Sequence, residues 1–171
     1  ARDARVRATL ECLPQQIETR SLARVVLECE QTRVEQTFEV QVRHAPTAQF
    51  AVMLPVDWRA ATGHELAVDD EILPGDEQAI VDDGVAPRWT VRFDPPRVGN
   101  VKVSLRWRLP AVAVAIGEEA TPTIHLATPA DGGSYSRALV SAKEGLRVAV
   151  EAAETWQTLP NGKNGGVWQL E

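Results

Sequence analysis

With 171 residues, 44% of them hydrophobic and 25% charged, the chain has a globular composition and room for one ordinary domain, or one with a small companion. A chain of that length buries roughly two thirds of its unfolded surface, enough for a core without a metal or a disulfide. The net charge of −6 argues against a general nucleic-acid or anionic-membrane binder, and no apolar run reaches the ~20 residues of a membrane helix.

Period-two alternation runs along most of the chain and predicts half-buried antiparallel strands. Near 4–12, Val6, Ala8, Leu10 and Cys12 share one face, and near 22–30 Val25, Leu27 and Cys29 do so. Over 32–43 the inward side carries Val34, Phe38, Val40 and Val42, while Arg33, Glu35, Thr37, Glu39, Gln41 and Arg43 point away. Shorter strands are expected near 49–54 and 64–68, then at 87–93 with Trp89, Val91 and Phe93 inward. The clearest pattern is at 99–109, where Val101, Val103, Leu105, Trp107 and Leu109 oppose Lys102, Ser104, Arg106 and Arg108. Further strands are expected near 111–116, 122–127, 145–151 and 166–170. The best helical stretch, Tyr135 to Glu144, is closely bracketed by Gly132-Gly133 and Gly145, and fits a single turn or another strand.

Pro and Gly recur as punctuation at Pro46, Pro55, Gly63, Pro74-Gly75, Gly84, Pro95-Pro96, Gly99 and Pro110. That spacing suits a β-sandwich better than a βαβ fold. The expected fold class is therefore all-β: an antiparallel β-sandwich, immunoglobulin-like or jelly-roll-like, over 1–110, with a smaller C-terminal β unit over 111–171 that fits part of a next module. The chain starts Ala1-Arg2-Asp3 and stops at Leu170-Glu171, directly after a strand pattern. This reads as a fragment of a larger protein, or as a mature protein after signal-peptide removal.

Three stretches carry a family resemblance. They are Arg33 to Val42 followed by Ala45-Pro46 and Phe50 to Pro55, Pro95-Pro96-Arg97-Val98-Gly99 with the strand after it, and Gly145-Leu146-Arg147-Val148 leading to Trp156. Together they resemble β-sandwich modules of large, uncharacterised bacterial envelope or secreted proteins. The resemblance implies an extracytoplasmic, non-enzymatic module and carries over no functional residue.

The residues able to do chemistry are scattered. Cys12 and Cys29 are in phase with apolar neighbours and are expected to point inward. A simple hairpin would hold their thiols roughly 20 Å apart, beyond disulfide reach, although another topology would bring them together. His44, His64 and His125 form no HExxH or HxH pattern and read as surface or rim residues. No GxSxG elbow accompanies them.

Asp69, Asp70, Glu71, Asp76, Glu77, Asp82 and Asp83 form an acidic stretch. It fits solvated turns flanking a hairpin, or a calcium site built on Asp69, Asp70, Asp76, Asp82 and Asp83. Opposing it, Arg88, Arg92, Lys102, Arg106 and Arg108 all face outward and would share one sheet face if 87–93 and 99–109 form a hairpin. Like charges placed opposite one another are unfavourable, so Glu35 and Glu39 are the expected counter-charges; a binding face for an acidic protein or polysaccharide is the other reading. Trp89 and Trp107 are in core phase, Trp58 fits a loop cap, and Trp156 and Trp168 belong to the C-terminal unit.

The functional expectation is a non-catalytic structural or protein-interaction module of an extracytoplasmic protein, without cofactor, nucleic-acid partner or membrane insertion of this segment. Its partners would be adjacent modules of the same chain, or a protein or polysaccharide. The alternative is a carbohydrate- or calcium-binding β-sandwich.

Overall fold

The computed structural model describes residues 9–73, 79–82, 87–111, 119–120, 122–130, 134–143, 146, 158–159 and 167–170. Ten strands carry the fold: β1 (Gln16–Leu27), β2 (Gln31–Met53), β3 (Thr62–Val68), β4 (Glu71–Ile72), β5 (Ala79–Asp82), β6 (Pro87–Pro110), β7 (Thr128–Pro129), β8 (Ser134–Ala142), β9 (Thr158–Leu159) and β10 (Val167–Leu170). Among the described residues the one helical element is the 3-10 turn Val56–Ala60. The strands form one mixed sheet in the order β4-β3-β6-β2-β1-β8-β10-β9, with β5 on β6 and β7 on β2.

Two strands are unusually long. β2 has 23 residues and β6 has 24, so each would run roughly 75 Å if straight. Neither does. Straight, the stretch from Phe38 to Phe50 would span roughly 40 Å, yet the two rings lie 6.0 Å apart. The ribbon of β2 and β6 doubles back on itself, and residues of both halves join one apolar core.

The bend lies where the two strands exchange bulges. Val42 to Thr47 of β2 matches only Gly99 to Arg97 of β6, and Arg97 to Arg92 of β6 matches only Thr47 to Gln49 of β2. Such inserted residues bend a strand without ending its pairing. Gly99 takes φ 93°, a conformation open to glycine, and His44 takes φ 71° on the other strand. The Thr47 hydroxyl donates to Gln49 O at 2.8 Å, and the Gln15 amide donates to Pro46 O at 2.8 Å. Pro46, Pro95-Pro96 and Gly99 therefore mark bends within strands and not reversals between them. This corrects the separate strands expected at 32–43 and 49–54, and the hairpin expected between 87–93 and 99–109.

The expected side-chain phases hold through the centre of the sheet. Val34, Phe38, Val40, Val42, Val101, Val103, Leu105, Trp107 and Leu109 are buried, while Lys102, Arg106 and Arg108 are exposed. Trp89 and Trp107 are fully buried, and Trp58, in the 3-10 turn, meets Trp107 edge-on at 5.6 Å. The β3–β4 turn places Asp69 and Asp70 at φ 49° and 69°, the pair of positive φ values of a type I′ hairpin.

Other expectations change. Residues 9–12 belong to no strand, and Leu10 is 94% exposed, so the inward strand expected near 4–12 is absent from its described part. Tyr135 to Ala142 belong to β8, which runs parallel to β1 with Ala138 beside Ala23 and Val140 beside Val25; Glu144 lies outside the described residues. Burial of all four turns alternate residues of each strand to the core, which settles the stretch as a strand, and the parallel pair makes the sheet mixed where an antiparallel one was expected. Residues 122–127 are likewise unpaired. Val112 to Ile116, Val148, Val150 and Trp156 lie outside the described residues. β7, β8 and β10, from beyond Pro110, pair with one another or with strands from before it.

Of the buried polar side chains Thr19, Ser21, Thr32, Gln36, Thr47 and Ser104, Gln36 is the most deeply placed. Gln36, 1% exposed, receives a hydrogen bond from Ala127 N on Oε1 at 2.9 Å, and its Nε2 donates to Ala127 O at 2.8 Å and to Ser21 Oγ at 2.8 Å. Its amide thus imitates a backbone pairing partner. It connects β1 and the first half of β2 to the segment leading into β7, which pairs with the second half of β2. Gln36→Leu would leave Ala127 N–H, Ala127 C=O and the Ser21 hydroxyl without that partner in a buried setting. The expected loss is roughly 2–4 kcal/mol, measured by urea unfolding; an unchanged midpoint would show that the amide does not hold these segments together.

Candidate functional site

The outer face of β1, β2, β6 and β3 is built from charges whose order is set by register. Arg24 stands opposite Glu35, Glu35 opposite Arg106, and Arg106 opposite Glu65. A second row runs Arg20, Glu39 and Lys102 and ends at Asp69, whose N–H donates to Lys102 O at 2.8 Å. Signs alternate along both rows, which favours cross-strand attraction over repulsion.

Arg106 is the best-connected member. Its Nε and Nη2 donate to Glu35 Oε1 at 3.0 and 2.9 Å, and its Nη1 donates to Glu65 Oε1 at 2.7 Å. The Glu35 hydrogen bonds and charge, followed by those of Glu65, raise the guanidinium pKa above its already high ordinary value. Its side chain is 54% exposed, so water and salt limit the brace to about 1 kcal/mol. Glu35 is thus a counter-charge as expected, whereas Lys102, across from Glu39, sends its ammonium to Asp70 Oδ1 at 2.6 Å.

The five expected basic residues do not share a hairpin face. Arg88 and Arg92 lie on the first half of β6, across from Met53 and Gln49. Lys102, Arg106 and Arg108 lie on the second half, beyond the bend, across from Glu39, Glu35 and Arg33.

Of the acidic candidates, Asp69 and Asp70 share the β3–β4 turn and are held by cations. Asp69 Oδ1 accepts from Lys102 N at 2.9 Å and its Oδ2 lies 3.6 Å from Arg97, while Asp70 holds Lys102. Asp82 ends β5 across from Pro87, and Asp76 and Asp83 lie outside the described residues. Among the described residues no three His, Cys, Asp or Glu side chains gather as metal ligands.

Cys12 and Cys29 are free and exposed, which corrects the inward orientation expected for both. Cys12 precedes the first paired strand, and Cys29 sits in the turn between β1 and β2, where alternation no longer dictates burial. His44, His64 and His125 are exposed. His64 stacks on Trp58 with centroids 4.2 Å apart, and its Nε2 is 3.2 Å from Trp58 O.

Two features escaped the sequence reading. The first is a clasp at the β1–β2 turn: Glu28 accepts from Lys143 Nζ at 2.8 Å, from Gln31 Nε2 at 3.0 Å and from Arg33. Lys143 follows β8 and also donates its N–H to Leu27 O at 3.0 Å, so the clasp ties β8 to the hairpin. Its signal was cryptic, because Glu28 and Lys143 are far apart in the chain. The second is an open groove of about 460 Å³ on the outer face, whose charged lining is Arg24, Arg33, Arg106, Arg108, Glu35 and Glu65. Arg24 and Arg33 have the outward phase, but only register places them beside Arg108.

Comparison of the sequence with models of known families and with curated proteins finds no match to either. The site is therefore read from its own geometry.

The Glu28 carboxyl is held down at about 2, from an ordinary 4.5, first by the Lys143 hydrogen bond and then by Gln31 and Arg33. A carboxyl depressed in the folded state stabilises fully above the unfolded value and loses that contribution as pH falls from about 4.5 towards about 2. Glu28→Gln is expected to flatten the pH dependence of unfolding free energy across this window. Identical slopes for the two proteins would contradict the clasp.

Proposed function

We propose that the chain is a non-catalytic structural or protein-interaction module of a larger extracytoplasmic protein. The observation that carries this reading is the doubled-back β2–β6 ribbon. It spends its tryptophans and its one buried amide on holding the core together, and leaves an outer face of charges that largely neutralise one another. In this reading the two halves of the ribbon are the facing layers of an immunoglobulin-like or jelly-roll-like sandwich, with 111–171 as a smaller unit at its side. The extracytoplasmic placement rests on the likeness of the strand pattern to modules of bacterial envelope and secreted proteins.

A calcium-binding role would have to draw Asp69 and Asp70 away from Lys102 and Arg97. Two measurements test the proposal. Millimolar Ca²⁺ is expected to leave the melting temperature unchanged, and a rise of several degrees would favour the ligand-binding alternative. Fractionation of cells expressing the full parent protein is expected to place it in the envelope or the medium; a wholly cytosolic location would overturn the extracytoplasmic assignment.

A further inference from the structure

The outer-face groove departs from the balance around it. Four guanidiniums line it against two carboxylates, in a chain whose net charge is −6. Both carboxylates are already engaged, because Glu35 and Glu65 accept from Arg106. Arg108 stands directly opposite Arg33 across the β2–β6 pair, an unfavourable like-charge placement, and Arg33 is drawn aside to Glu28. Among the described residues Arg24 and Arg108 form no ion pair.

These two unpaired cations bracket the groove. With strands ~4.8 Å apart and ~3.3 Å per residue, their Cα atoms lie roughly 12 Å apart, within reach of a shared anion between them. Arg33 is on the strand that separates them. A guanidinium presents a planar fork of donors that matches a carboxylate in two parallel hydrogen bonds.

We infer that this groove is the docking site for a short acidic segment of a protein partner, with carboxylates of that segment seated between Arg24 and Arg108 over Arg33. The inference rests on the reading of the chain as an interaction module and names the chemistry of its partner. Charge complementarity selects the occupant. Glu35, Glu65 and the net negative charge of the chain oppose a continuous polyanion, which would lay charge along the whole groove, whereas isolated carboxylates meet only the unpaired guanidiniums. Neutral sugars are disfavoured because no aromatic ring is exposed along the described lining.

The test uses the full chain and two probes, an eight-residue Asp/Glu-rich peptide and a sulfated polysaccharide, titrated at low and physiological salt. The peptide is expected to bind, to weaken with salt, and to lose at least about tenfold in affinity with Arg24→Ala/Arg108→Ala. Arg24→Lys/Arg108→Lys keeps both charges without the fork and should fall between the two. Since both side chains are exposed and unpaired, unchanged melting temperatures confirm that the variants fold. Undiminished peptide binding by the double alanine variant overturns the site, as does tighter binding of the polysaccharide through the same residues. Binding of neither probe overturns the groove while leaving the module reading to its own tests of calcium response and location.

Discussion

A pair of strands too long for the domain they build must bend, and the rest of this molecule follows from how β2 and β6 do so. They bend together, each lending extra residues where the other has fewer, so hydrogen bonding continues through the corner. Continuity removes the need for a separate loop at the bend. It also fixes which side chains meet: Phe38 comes against Phe50, and Trp89 and Val91 share a core with Val103 and Leu105. Burying those rings supplies the main driving force for closure, and the Gln36 amide adds directional pairing that apolar contacts lack.

Closure also dictates the surface. Once alternate residues of β1, β2 and β6 are committed to the core, the remaining positions face water in fixed rows. Register then makes charge order a structural property: Glu35, Arg106 and Glu65 neutralise one another because pairing sets them side by side, while Arg24, at the end of that row, keeps its charge unpaired among the described residues. The row through Arg108 and Arg33 lacks that compensation. On this outer face the described charges alternate in sign along most rows, and the excess of cations is confined to the groove between β1 and β6.

Much of the sheet was legible in the sequence because alternation is a direct record of burial. Val101 to Leu109 and Val34 to Val42 were assigned to the correct faces, and Glu35 was recognised as an outward partner for β6. Gln36 was not, although a polar residue in the inward phase of so clean a strand was itself the signal. The corners misled, since Pro95-Pro96 and Gly99 have the same composition whether a strand reverses or bends, and only cross-strand register distinguishes the two. Parallel pairing of β8 with β1 was out of reach for a similar reason: it joins segments far apart in the chain, and local pattern carries no record of the partner. The cysteines mark the limit of phase arguments, which hold only within a paired strand, whereas Cys12 and Cys29 lie before and between strands.

The doubling back of the β2–β6 ribbon is the claim on which the account stands, and the phenylalanines report it directly. With only three in the chain, selective labelling of Phe rings gives a simple nuclear Overhauser spectrum. Cross-peaks between the rings of Phe38 and Phe50, 6.0 Å apart between centroids, are the predicted result. Their absence in the folded protein, with each ring contacting only neighbours of its own half-strand, would contradict the fold and everything built on it.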